Sequence, residues 1–241
     1  MKKLAIVLFL FFSLINSKAQ TYKVFKGDTI NRIDAKGQKV GLWRKYYEND
    51  TLFSEGYFKK GKHSGTFHTF YKNGKRQSVL SFRGLTEISF AELFYDTGIP
   101  MAKGKYIDRT KDSVWIYFDE EGKMNSEEIY KNGVKEGTWK VYHQNGQLSQ
   151  ILNYKNGKKN GPFKEFFDSG KRKIEGLMLN GEFVGTVSVF HPNGQVWQKG
   201  SYVNGLRDGI WTIFKEDGTP ETDQIYKSGV LTNPPLEDKE N

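Results

Sequence analysis

The sequence predicts an all-β protein, an elongated antiparallel array of β-hairpins that forms a meander or solenoid with a 24-residue period. Residue types recur every 24 places along most of the 241-residue chain, and no insertion interrupts them. Glycine-based turn signals occur twice in each period, which leaves no room for a helix. Aromatic residues make up 15% of the chain, so Phe, Tyr and Trp supply much of the apolar area that the strands require.

The array contains eight units, counted from Gly41, which we take as position 0 of the first unit. Position 5 is aromatic in every unit, from Tyr46 in the first to Phe214 in the eighth. A single hairpin cannot bury such rings, whereas stacked hairpins place equivalent rings side by side in ladders. Position 0 is small in all units and is occupied in turn by Gly41, Gly65, Ser89, Ser113, Gly137, Gly161, Gly185 and Gly209.

Each unit is predicted to contain two turns, the first as at Asn73-Gly74 and the second as at Asn132-Gly133. Asn and Gly tolerate the positive φ that primed hairpin turns require, so we expect primed turns at both places. Positions 2 and 5 are both rich in aromatic residues, yet strict alternation would place them on opposite faces. Either a β-bulge brings them to one face, or position 2 packs toward the neighbouring unit.

The first 19 residues have the parts of a secretory signal peptide. Two lysines precede an apolar run over residues 4–14, and Ser17-Lys18-Ala19 supplies small residues for cleavage before Gln20. The run is shorter than the roughly 20 residues that a membrane span needs. We therefore expect the chain to be exported and its signal peptide cleaved, with a periplasmic, cell-envelope or secreted location.

The remainder divides into three segments. Residues 20–36 contain two short strand-like runs that we expect to cap the array, and residues 37–232 form the array itself. Pro234-Pro235 ends the strand pairing because proline cannot continue a ladder. We expect residues 233–241 to form a disordered tail.

The composition excludes several kinds of chemistry. The chain has no cysteine, so a disulfide, a zinc–thiolate site and a cysteine nucleophile are impossible. His143 and His191 share a repeat position but lie two units, or about 19 Å, apart, too far to hold one metal. We therefore predict no catalytic residue, no cofactor and no metal ion. A remote alternative is hydrolysis of envelope glycan by acidic residues near Gly122, namely Glu120, Glu121, Glu127 and Glu128.

Position 6 provides the candidate partner-binding residues, because a ring at position 6 faces outward if position 5 faces inward. An exposed ladder of this kind could hold a protein, or alternatively a glycan or an anionic membrane surface. It could also be cross-strand packing that only stabilises the sheet. Nucleic acid is not expected as a partner, because an exported chain has no routine access to chromosomal DNA and the charges of both signs are interspersed. The candidate residues are Tyr47, Tyr71, Tyr95, His143 and His191.

One repeat unit shows a family resemblance most clearly. The segment Gly137–Gly146 has the sequence GTWKVYHQNG, and Tyr154-Lys155-Asn156-Gly157 follows it. This pattern resembles the bacterial variant of the MORN repeat, and the resemblance extends over residues 37–230. The resemblance implies a β-hairpin array that makes protein–protein or membrane contacts. Bacterial proteins with this repeat variant are similar to YwqK-type antitoxins. The units that begin at Ser89 and Ser113 depart from the pattern.

These observations favour a non-catalytic, exported repeat protein that acts as a protein-interaction scaffold or binding module. An antitoxin-like protein that binds a toxin partner is the alternative, and an envelope glycan hydrolase is the remote one.

Overall fold

The computed structural model describes residues 20–25 and 27–232, and every regular element in those ranges is a β-strand. The predicted signal peptide over residues 1–19 and the predicted tail over residues 233–241 lie outside the described residues. Within those ranges, no helix has the length and apolarity required to cross a membrane. The strands are β1 (Thr21–Phe25), β2 (Asp28–Ile33), β3 (Lys39–Tyr46), β4 (Leu52–Lys59), β5 (Lys62–Phe70), β6 (Arg76–Phe82), β7 (Ile88–Phe94), β8 (Pro100–Ile107), β9 (Thr110–Phe118), β10 (Met124–Lys131), β11 (Val134–Lys135), β12 (Gly137–Tyr142), β13 (Leu148–Lys155), β14 (Lys158–Lys159), β15 (Gly161–Phe166), β16 (Arg172–Leu179), β17 (Glu182–Phe190), β18 (Val196–Val203), β19 (Leu206–Phe214), β20 (Pro220–Lys227) and β21 (Val230–Leu231).

These 21 strands form one open antiparallel sheet in which successive strands pair, except that β11 and β12 both pair with β10, and β14 and β15 both pair with β13. The all-β hairpin array predicted from the 24-residue period is therefore confirmed. In two units the strand that opens the unit is interrupted by one irregular residue. This interruption separates β11 from β12 in one unit and β14 from β15 in the next. Because every pairing is local in sequence, the array has ladders of side chains and lacks a single central core.

The two turns of each unit differ in conformation. Asn132 and Gly133 both have positive φ, 50° and 78°, and the equivalent pair does so in every unit but the second, so the second turn is primed in those units as predicted. In the second unit a longer loop joins β6 to β7, and only Gly84 has positive φ there. In the first turn only the glycine has positive φ, with 80° at Gly74. The Gly74 N–H donates to the Tyr71 carbonyl at 2.9 Å, and the Tyr71 N–H donates to the Lys75 carbonyl at 2.8 Å. This is a type I turn followed by a glycine bulge, so the prediction of a primed first turn is wrong.

Strict alternation holds between positions 2 and 5. In the fifth unit, residues 139–142 run without interruption along β12, and the register shift falls on the partner strand between Leu148 and Gln150. The two aromatic positions therefore lie on opposite faces of the sheet. We call the side with position 2 the tryptophan face. On the other side, position 5 packs with its own neighbours, as Phe70 does with His68 at 6.3 Å.

The hairpin of β1 and β2 covers the start of the array. Only two residues of β2 pair with β3, which leaves the middle of β3 without a neighbouring strand on that side. The Asn31 amide takes the place of that strand, because it accepts from the Arg44 N–H at 2.8 Å and donates to the Arg44 carbonyl at 3.0 Å. Asn31 has a φ of 58°, a conformation that asparagine tolerates better than most residues. Ile30 is buried beside it.

Candidate functional site

The tryptophan face carries a row of stacked aromatic residues. Trp139 at position 2 lies 5.3 Å from Tyr130 and 4.7 Å from Tyr154, which occupy position 17 in successive units. Trp115 and Trp211 are fully buried and have the same kind of neighbours. Position 2 and position 17 therefore form the ring ladder of the array, and aromatic pairs of this geometry add stability beyond area burial.

A row of cations covers these rings. Four array tryptophans are each preceded, four residues earlier, by a lysine or arginine whose charged group lies over the indole. The distances to the ring centroid are 4.5 Å for Lys39 over Trp43, 5.0 Å for Lys111 over Trp115, 4.3 Å for Lys135 over Trp139 and 4.1 Å for Arg207 over Trp211. This four-residue spacing is visible in the sequence, although it did not enter the predictions above. Cation–π attraction holds each cation on the face.

The backbone of the preceding unit anchors most of these indoles. Trp139 Nε1 donates to the Ile129 carbonyl at 2.9 Å. Trp115 and Trp211 make the same bond to the residue ten places earlier. Trp43 is different, because its buried Nε1 has no acceptor among the described residues. The first unit therefore lacks the hydrogen bond from indole to backbone carbonyl that Trp115, Trp139 and Trp211 make.

Residue size is matched between neighbouring units. Gly104 lies beneath Trp115, and a Cβ atom at Gly104 would approach the indole to 2.3 Å. The third unit reverses this arrangement, with the small Ala91 at position 2 opposite the larger Leu80. The loss of the ring at Ala91, a departure from the repeat pattern, is thus offset by a larger partner.

An open groove interrupts the face over the first three units. Two adjoining hollows of about 660 Å³ and about 360 Å³ share His63, Phe67, Thr69 and Arg109 in their linings. Arg109 belongs to the turn between β8 and β9, with a φ of 61°. We use "the groove" for these two hollows. The sequence did not predict it, because its residues are up to about 70 places apart and meet only when the sheet forms.

The floor of the groove is a continuous set of rings. Phe58 lies 5.7 Å from Trp43, 4.5 Å from His63 and 6.2 Å from Phe67. His63 also stacks on Phe82, at 4.7 Å and an interplanar angle of 9°. A ligand that enters the groove therefore meets aromatic surface below it.

The rim of the groove is strongly basic. Its cations are Lys39, Lys45, Lys60, Lys62 and Arg109, together with Arg44. Burial lowers the pKa of His63, and the nearby Arg109 and Lys39 lower it further. His63 is therefore expected to stay neutral at physiological pH.

Few anions balance that charge. Arg44 is held by Asp28 at 2.8 Å and by Glu55 at 3.2 Å. Glu87 pairs with Lys62 at 3.1 Å. Arg109 forms no ion pair with any carboxylate in the described ranges, so the groove has an excess of positive charge.

The position-6 residues have a structural role in the folded array. The Tyr71 hydroxyl donates to the Phe94 carbonyl of the next unit at 2.7 Å. Tyr47 and Tyr95 do the same, and the Nε2 atoms of His143 and His191 contact the equivalent carbonyls at 3.0 Å. All five side chains are part-buried, so they do not form the freely exposed ladder that we expected. Their assignment as partner-binding residues stays a prediction.

No group of side chains in the described residues has the arrangement of a metal site. His143 and His191 lie in separate units, each at its own turn, as predicted from their spacing. His63 and His68 belong to the same strand but to opposite faces.

The candidate acidic residues for hydrolysis have other contacts. Glu127 pairs with Lys140 at 3.1 Å. Its neighbour Glu128 accepts from the Tyr130 hydroxyl at 2.7 Å, on the opposite face of β10. Glu121 pairs with Lys123 at the turn. Adjacent residues of one strand cannot both flank a glycosidic bond, so Glu127 and Glu128 do not form an acid–base pair.

Comparison with known families finds four segments that match the MORN repeat variant: residues 39–60, 111–132, 135–156 and 183–204. Each segment begins two residues before position 0 of a unit, which agrees with the 24-residue period. Together they cover less than half of the chain. The unit that begins at Ser113 is among them, although we expected it to depart from the pattern.

Two solved structures resemble part of the chain at low identity. No curated protein matches the chain. A crystal structure of TarM is 14% identical with a TM-score of 0.30, and the match covers 40% of this chain and 19% of that one. A mutant of S. aureus TarM in complex with Fondaparinux, alpha-GlcNAc-glycerol and UDP is 13% identical, with the same TM-score of 0.30 and the same coverage of 40% and 19%. The chain thus spans 19% of the length of these structures, and likeness at this level carries no argument about function. What the comparisons show is that four hairpin units of this chain are similar to the MORN repeat variant.

Proposed function

We propose that this chain is an exported, non-catalytic repeat protein that acts as a binding module for a partner in the cell envelope. The observation that carries the proposal is the groove, which combines an aromatic floor with an excess of positive charge. Aromatic residues and arginine are the residue types that contribute most to binding interfaces. The signal-peptide pattern of residues 1–19 supports an envelope or extracellular location.

The groove is a better candidate site than position 6. The position-6 side chains already hold the next unit through hydrogen bonds, as Tyr71 does to the Phe94 carbonyl. By contrast, Arg109 is not held by a carboxylate of the described chain and is available to a partner. We therefore place binding at the groove and give position 6 the task of fixing the turns.

Fractionation of cells that express the full chain tests the proposal. We expect the protein in the envelope or culture fraction, with an N-terminus at Gln20. A chain that remains in the cytoplasm with Met1 intact would contradict export and favour the antitoxin-like alternative.

Retention of the purified chain on envelope material tests the binding role. The variant Lys60→Asn/Arg109→Asn removes two rim cations at turn positions where asparagine tolerates the positive φ. We expect the variant to be lost from envelope material that retains the wild-type chain. Equal retention of variant and wild type would show that the groove is not the binding site.

A further inference from the structure

The groove has the chemistry to recognise a specific class of ligand. We propose that it binds an acidic oligosaccharide, a chain of sugar rings that bear carboxylates. This inference rests on the proposed function, because it names the ligand class of the same site.

Charge selects an anion. Lys39, Lys45, Lys60 and Arg109 line the groove without a carboxylate partner among the described residues, and Glu87 is occupied by Lys62. Lys39 is half-buried and the other three are exposed at the rim, so an anionic ligand that enters the groove can reach all of them and pair through charge-assisted hydrogen bonds. The planar guanidinium of Arg109, at the junction of the two hollows, matches a planar carboxylate through two parallel hydrogen bonds.

The floor selects sugar rings over a peptide. The groove crosses strands β3 to β8, and the backbone groups of β4 to β8 are paired with strands on both sides. Extended peptides bind sheets mainly by adding to an unpaired edge, and the part of the β3 edge that β2 leaves open is occupied at Arg44 by the Asn31 amide. The groove offers rings instead: Phe67 lines both hollows, and Trp43 and Phe58 lie beneath the Lys39 ammonium. The C–H faces of sugars pack on aromatic rings, while their carboxylates can reach the rim.

The spread of the cations favours single charges along a chain. The rim cations come from β3 and from two separate turns, at Lys60 and at Arg109. The two hollows extend across neighbouring units, and each unit of two strands advances about 9.6 Å along the sheet. A ligand with one carboxylate per sugar places its charges along that length, whereas a single multiply charged group would meet only one part of the rim.

Direct titration of the full mature chain tests the proposal, with tetragalacturonate as the probe. Its neutral methyl ester serves as the uncharged control, and a hexaglutamate peptide and vesicles of phosphatidylglycerol serve as the competing classes. We expect tetragalacturonate to bind and the methyl ester to bind at least about 10-fold more weakly, since each lost charge-assisted hydrogen bond has about that effect. Binding should weaken as salt rises.

The variant Lys60→Asn/Arg109→Asn should bind the probe at least about 10-fold more weakly. Its melting temperature should stay at or above that of the wild type, because asparagine suits the positive φ of both positions. The control variant Lys155→Asn/Lys158→Asn removes the same charge from exposed positions in a distant unit. We expect this control to bind as the wild type does.

Four results would overturn the proposal: no binding of tetragalacturonate, an equal loss in the control variant, equal binding of the methyl ester, or tighter binding of the peptide or the vesicles. The second result would show diffuse charge attraction, and the last would identify a protein or membrane partner. Each of these leaves the proposed function intact if the groove variant still fails to bind envelope material. If envelope material does not retain the wild-type chain, the proposed function itself is refuted.

Discussion

The match between Gly104 and Trp115 allows the packing of the array to be tested by a double-mutant cycle. Trp115 is fully buried, and its Nε1 donates to the Lys105 carbonyl at 3.0 Å. Removing an indole takes about 200 Å² of apolar area out of the packed sheet, which corresponds to about 5 kcal/mol. Trp115→Ala should therefore lower the free energy of unfolding by about 3–5 kcal/mol.

Substitution of Gly104 should also destabilise the sheet, because it adds atoms to a packed contact instead of leaving a cavity. A Cβ atom at Gly104 would lie 2.3 Å from the indole, so the buried ring would have to move. Overpacking of this kind costs about 1–3 kcal/mol, and Gly104→Leu should reach the upper end of that range or exceed it.

The two changes together should compensate. The pair Gly104→Leu/Trp115→Ala reproduces the arrangement of Leu80 with Ala91, which the third unit uses. We expect the double variant to be at least about 1 kcal/mol more stable than the sum of the single effects predicts. Urea unfolding followed by far-ultraviolet circular dichroism measures all four proteins without relying on tryptophan fluorescence. Additive effects would refute the idea that size matching across units holds the sheet together.

Three further predictions concern single contacts. Trp139→Phe should cost about 1 kcal/mol more in unfolding free energy than Trp43→Phe, because only Trp139 loses a hydrogen bond. Glycine tolerates the positive φ of position 31, but Asn31→Gly should still lower the free energy of unfolding by about 2 kcal/mol. The reason is that two hydrogen bonds to the β3 backbone disappear. The pKa of Asp112 is lowered by Lys105 at 2.8 Å, so its contribution to stability is present above the unfolded pKa and is lost as pH falls.

The measurements for these predictions are direct. Urea titrations compare the two tryptophan variants, and equal losses would contradict the role of the carbonyl acceptor. For Asn31→Gly, hydrogen exchange should increase first in β3, and unchanged protection there would show that the amide is not required. For Asp112→Asn, stability should fall less between about pH 5 and pH 2 than in the wild type. A variant with the same acid sensitivity as the wild type would rule out this ion pair as the source.

The repeat explains why the fold and its functional features have different origins. Positions 2 and 17 both carry rings in five of the eight units, and Ala91, Met178 and Val187 interrupt the ladder in the others while the sheet continues. The smaller hollow of the groove is lined by two residues that depart from the pattern, Glu87 in place of a cation and Arg109 in place of a turn glycine. Changes at such places can create a binding site while the neighbouring units maintain the sheet.

By itself, the sequence determined the all-β class, the 24-residue hairpin period and the primed second turn of every unit but the second. These features depend on short-range signals, because two Gly-based turns in every period allow only a meander. The tertiary structure alone decided which face each ring occupies, the bulged form of the first turn and the hydrogen bonds of the position-6 residues. It also decided the groove, because Trp43 and Arg109 are brought together only by the stacking of successive hairpins. The periodic pattern specifies which residues are equivalent, while contacts between units depend on the register and twist of the assembled sheet.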